Sequence, residues 1–161
     1  MSMIGNFVAI TEHDLQHLID NPDEIESYLS SLDDDVQIDV DKAWHGIHFI
    51  LCKNNWSGDL PQFLTVLGGK EIGDDFGYGT GTYLDSKEVE AVSEYLEAIK
   101  YSELRKSFNP QEFESAEIYP QGIWIEEKEE AYDYIEEYLK ELALFYKKCA
   151  KEGKAILKFL S

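Results

Sequence analysis

Basic residues are scarce in this chain. Across 161 residues, 14 Lys and Arg stand against 33 Asp and Glu, for a formal net charge of −19. Nucleic-acid phosphates must be met by clustered cations, so the balance argues against direct DNA or RNA binding. Anionic lipid headgroups are repelled for the same reason. Cysteine is nearly absent. Cys52 and Cys149 each sit within an apolar helical pattern, without CxxC or Cys/His zinc spacing. Two buried free thiols in a reducing cytosol are the expectation, and with it a cytoplasmic protein. No run reaches about 18 apolar residues, so no membrane span is expected. The start, MSMIGNFVAI, lacks the basic region and long apolar core of a signal peptide.

Reaction motifs are missing too. There is no HExxH and no GxSxG. The stretch Gly68–Tyr83, GGKEIGDDFGYGTGTY, holds six of the 11 glycines but matches neither a Walker loop nor GxGxxG. Asp74 and Asp75 would repel a phosphate there. The segment is expected to be a loop held against another backbone, with Phe76, Tyr78 and Tyr83 as anchors. Its sharper reading is a loop that contacts a ligand or partner.

What is present is a packed globule's composition, 43% hydrophobic and 13% aromatic. No repeat and no Pro/Ser-rich linker divides it, so one domain spanning 1–161 is expected. Met3–Ile10 reads as a strand. Thr11 to Asp14 resembles a capping box that opens a helix bearing Leu15, Leu18 and Ile19. Pro22 starts a second helix. Val36–Val40 alternates as a short strand. Asp39 or Asp41 is expected to cap a central helix reaching Leu51 or Cys52. A loop follows at Asn54–Asp59, and Leu60-Pro61 opens a short helix through Leu67. Ser86 is expected to cap the next helix, with further short helices over about 102–108 and 110–116. Tyr119-Pro120-Gln121-Gly122 reads as a turn. One long helix is expected from about Glu126 to Lys151, with Ile135, Tyr138, Leu139, Leu142, Phe145 and Cys149 as its buried stripe. Its acidic first half is a solvated face or a docking face for a basic partner. Ala155–Leu160 reads as a last strand that pairs with the first. The fold class is α+β, mostly helical, with a small sheet.

The densest chemistry lies in Asp39–Leu51, DVDKAWHGIHFIL. Trp44, Ile47, His48 and Leu51 recur at helical spacing on one face, with Asp41 and His45 as an exposed polar edge. His45 and His48, three apart, could share a metal, but a third ligand would have to come from Asp39 or Asp41, and no metal or cofactor is assigned. His48 reads more simply as a satisfied core histidine beside Trp44. A Cys52–His48 nucleophile on one helix is weighed and set aside, because buried helical cysteines are inert.

Four segments in order, MSMIGNF, DKAWHGIHFIL, GGKEIGDDFGYGTGTYL and LRKSFNPQEFESAEIYPQGIW, resemble the YfbM-like family of small bacterial proteins with a domain of unknown function. The resemblance spans nearly the whole chain and implies one α+β domain in the cytoplasm. It brings no reaction, cofactor or catalytic residue. Small acidic proteins of this kind include neutralisers of bacterial toxins, and the charge points the same way. The leading expectation is therefore a non-catalytic protein that binds a basic partner, with toxin neutralisation as one form of it. The expected contact surface joins Asp41, Trp44, His45 and His48 to Asp74, Asp75, Phe76, Tyr78 and Tyr83. The competing expectation is a small-molecule-binding domain or enzyme whose pocket is lined by Trp44, His45, His48 and Tyr78, with a histidine as general base.

Overall fold

Two short apolar segments, GNFVAI and AILKFL, set the middle of the molecule. In the computed structural model, which describes residues 2–161, β1 (Gly5–Ile10) runs antiparallel to the last strand, Ala155–Leu160, with Gly5 opposite Leu160 and Ile10 opposite Ala155. The expected pairing of the first and last strands is therefore present. The elements follow as α1 (Glu12–Asp20), α2 (Ile25–Ser30), β2 (Gln37–Asp39), α3 (Trp44–Cys52), β3 (Lys70–Ile72), β4 (Gly81–Leu84), α4 (Ser86–Glu97), α5 (Tyr101–Ser107), α6 (Pro110–Ser115), α7 (Ile123–Glu127), α8 (Glu129–Lys151) and β5 (Ala155–Leu160). The sheet is antiparallel in the order β2-β1-β5-β4-β3. The architecture is α+β, as expected.

The pleat sorts the core into two layers. Phe7, Leu84 and Ile156 face α3, α4 and α8 in the larger cluster. Val8, Ile10, Ala155 and Leu157 face α1 and α2 in the smaller one, joined by Ile72. Two glycines permit close approach on the larger side. A Cβ on Gly5 would lie 2.8 Å from Trp44 Cβ, and one on Gly46 would lie 2.6 Å from the Trp124 ring. Glycine at these positions lets β1 and α7 pack directly onto α3.

Local signals mostly hold. Thr11 accepts from the Asp14 amide and caps α1. Pro22 begins a 3-10 turn that leads into α2. Six expectations need correction. The Gly-rich stretch is a hairpin, with Lys70 opposite Tyr83 and Ile72 opposite Gly81. Only its tip is a loop, where Asp75 Oδ1 accepts from the Gly77 and Gly79 amides. Asp85, not Ser86, caps α4 through a reciprocal capping box with Glu88. Neither Asp39 nor Asp41 caps α3. Asp39 accepts from the Asp41 amide, and a 3-10 turn at Asp41–Ala43 feeds the helix directly. The helix expected after Leu60-Pro61 is only a 3-10 turn, Gln62–Thr65. The long terminal helix is two helices, broken at Lys128, whose φ of 52° is left-handed. In α8, Tyr138 is only half-buried, whereas Ala131, Tyr132 and Tyr146 join the buried stripe. Gly153 follows its end, as expected.

Candidate functional site

The central helix is not amphipathic in place. Every residue from Trp44 to Leu51 is buried. A helix that is apolar all round belongs in the middle of a core, and α3 lies between the sheet, α8 and the segment that follows it. His45 is 1% exposed, so it is not part of an exposed edge. Its Nε2 lies 2.8 Å from the Asn55 carbonyl, and its Nδ1 accepts from the Tyr119 amide at 2.9 Å. One N–H donor and one acceptor define a neutral imidazole with the proton on Nε2. Burial lowers its pKa, partly offset by the Asn55 carbonyl. His45 thus ties two loops to the core and has no free nitrogen for a metal or a proton transfer.

His48 is also 1% exposed, but neither ring nitrogen has a hydrogen-bond partner. The carbonyls of Asn54 and Ser57 lie close enough to pull its pKa slightly upward. Burial dominates and takes it down to about 4. It is a core histidine without the expected satisfaction, packed edge-on against Phe63 at 5.9 Å. Its ring neighbour on the helix is His45, at 6.5 Å. Trp44 stacks on His45 at 4.8 Å and on Tyr119 at 5.7 Å, and its indole N–H donates to the Met3 carbonyl. Asp41 accepts from the Tyr134 hydroxyl at 2.6 Å.

The hairpin residues lie elsewhere. Phe76 stacks on Phe159 at 4.9 Å and belongs with Tyr83 to the smaller core layer. Asp74 and Asp75 are exposed at the tip, beside a depression shared with Ile25 and Leu29 of α2. The sheet therefore separates Trp44, His45 and His48 from Phe76 and Tyr83. The expected joint surface does not form as one face, and Tyr78 lines a depression with Phe7, Val66 and Lys158. Cys52 and Cys149 are free, and burial pushes their thiols up to about 11 and about 12. Neither is a nucleophile at neutral pH.

Two features escaped the sequence reading. The first is Trp56, in the loop after α3. It is 59% exposed, yet its ring sits 4.5 Å from His45. The Asn54 side chain accepts from the Trp56 and Ser57 amides and fixes the turn beneath it. Leu60, 71% exposed, ends the same loop, and Asp59 is exposed beside it. Glu112 lines a shallow depression together with Asn54 and Asn55. Composition marked this segment as a loop, and its one large aromatic was the available signal.

The second is Lys158, on the inner face of β5 between Ile156 and Leu160. It is 3% exposed and donates to the carbonyls of Leu64 and Gly68. The signal available in AILKFL was a single lysine in an otherwise apolar strand. Among the described residues, no group of three or more His, Cys, Asp or Glu side chains is placed to hold a metal, and no helix is long and apolar enough to cross a membrane.

Comparison with known proteins fits this architecture. A model of the family DUF1877, a domain of unknown function, matches residues 1–159. Protein YfbM of Escherichia coli (strain K12) is 30% identical over 137 residues, covering 80% of this chain and 80% of YfbM. The crystal structure of YfbM from Escherichia coli, itself called a protein of unknown function, matches with a TM-score of 0.81 at 26% identity. That match covers 98% of this chain and 99% of the other.

Proposed function

The chain belongs to the DUF1877 family, a domain of unknown function, and from the surface of this member we propose a non-catalytic cytoplasmic protein that binds a basic protein partner. Neutralisation of a bacterial toxin is the form of this role that the charge favours. The observation that carries the reading is Trp56, an exposed indole already held in place by His45 and the Asn54 turn. Interface energy concentrates in aromatic anchors that lose little entropy on binding, and a preorganised indole fits that requirement. The chain's −19 charge supplies long-range attraction to a basic surface, with Asp59 and Glu112 near the anchor. Packing of both histidines into the core, away from any cavity they could share, supports binding over catalysis at α3.

The test is affinity capture from a bacterial lysate, followed by titration of the purified partner at low and high salt. The captured protein should be basic and its affinity should fall as salt rises. Trp56→Ala should weaken it by tenfold or more, about 1.4 kcal/mol. Combined alanine substitution of Asp74, Asp75 and Tyr78 tests the hairpin as the contact instead. A partner that is acidic, or one bound equally well by both variants, refutes the assignment.

A further inference from the structure

Lys158 has no role in that reading, and its setting is unusual. Lysine is almost never fully buried without a charged partner. Among the described residues, no carboxylate lies within salt-bridge distance of Lys158. Its nitrogen instead donates to two backbone carbonyls, Leu64 and Gly68. An ammonium would carry a third N–H with no acceptor, whereas a neutral amine has two N–H groups and a lone pair. The geometry suits the amine. Burial favours it as well and takes the pKa down to about 7, against a small upward pull from Glu88. His48, near enough to feel the charge of Lys158, is itself neutral at that pH. The Tyr146 hydroxyl donates to the carbonyls of Thr65 and Leu64 beside it, and this pins the same turn.

The same lysine lines a cavity of about 270 Å³. Phe7, Val66, Leu67 and Leu160 give it apolar walls, and Tyr78 and Thr82 add hydroxyl-bearing side chains. The volume lies just under the range of about 300–1,000 Å³ for drug-sized ligands, so the occupant is small. A buried neutral lysine in apolar surroundings is the setting in which amines react with carbonyl compounds. We propose that this cavity binds a small aldehyde or ketone, which Lys158 holds as an imine.

The step balances without a co-reactant. The Lys158 nitrogen attacks the carbonyl carbon and forms the C–N bond. The carbonyl oxygen takes up both amine hydrogens and leaves as water, and C=N replaces C=O. If the imine is protonated, its single N–H can still donate to the Leu64 or Gly68 carbonyl. The apolar walls suit an alkyl chain rather than a charged one.

Butanal with sodium cyanoborohydride at neutral pH tests the proposal, with adducts located by peptide mass mapping. Lys158 should be alkylated at least about tenfold faster than exposed lysines such as Lys70 and Lys87. Thr82→Leu retains Lys158 but fills the cavity, and should slow its labelling about tenfold while the exposed lysines react as before. Lys158→Met should lose the fast adduct and leave the rest. Preferential labelling of exposed lysines, an unlabelled Lys158, or a rate at Lys158 that Thr82→Leu does not change would each overturn the proposal. The last result would mean that the reagent arrives by unfolding rather than through the cavity.

Discussion

Replacing Lys158 by methionine should stabilise the protein at low pH and lose that advantage as pH rises. The folded-state pKa is about 7, and the unfolded chain's is about 10.4. A lysine whose pKa falls on folding is penalised for charge. The penalty is complete below the folded value and is relieved as pH rises from there towards the unfolded one. At about 1.4 kcal/mol per unit, roughly three units give a full penalty of about 5 kcal/mol near pH 6. Methionine fills similar space and removes it. The substitution also leaves the Gly68 carbonyl without the lysine donor, while Leu64 keeps only a long contact from Tyr146 at 3.4 Å. That loss costs about 1–3 kcal/mol. Methionine should therefore win by about 2–4 kcal/mol near pH 6, and the two proteins should be about equal near pH 9. Urea unfolding of both proteins at several pH values reads the difference. Deprotonation of Cys52, Cys149 and the tyrosines is common to both and cancels. Parallel profiles, with a constant difference across this range, would refute a buried amine that changes its protonation on unfolding.

Other substitutions test the packing around α3. Gly46→Ala would drive a methyl to 2.6 Å from Trp124 and 3.1 Å from Ile135; overpacking of this kind costs about 1–3 kcal/mol, readable by urea unfolding. His45→Phe leaves the Asn55 carbonyl and the Tyr119 amide unpaired. It should cost about 2–3 kcal/mol and shift Trp56 fluorescence as the ring loses its support. Burial lowers both core histidines below the unfolded value of about 6.5, so the stability they carry is full above it and falls as pH drops, for His48 down to about 4. His48→Leu should flatten that acid decline in a thermal-melt series. Asp85→Ala removes the α4 capping box and should cost about 1 kcal/mol.

The fold was legible where a local pattern coincided with an obligation to pair. GNFVAI and AILKFL are short and apolar, and short strands need neighbours, so their pairing followed. The β3–β4 region was harder. β3 and β4 have three and four residues, too few for alternation to outweigh six glycines in one stretch. The break at Lys128 carries neither Gly nor Pro and lies at a residue with a left-handed φ of 52°. Tertiary context produces it, and a helical run of Glu and Lys conceals it.

The sequence reading set His45 at an exposed edge of the central helix, and its burial overturns that placement. In WHGIHFIL the neighbours account for the burial. The Asn55 carbonyl and the Tyr119 amide satisfy His45 from loops distant in the chain, and periodicity within α3 carries no information about either. Lys158 shows the converse. Its place between Ile156 and Leu160 is readable from the sequence, yet lysine is discounted in a strand because its length lets it snorkel to water. Here the turn at Leu64–Gly68 closes that route and offers two carbonyls instead. A buried cation with no carboxylate in salt-bridge range can stay only by giving up its proton or by meeting an added partner. The two carbonyls and the adjoining cavity therefore make Lys158, rather than the histidines, the residue on which the proposed carbonyl chemistry rests.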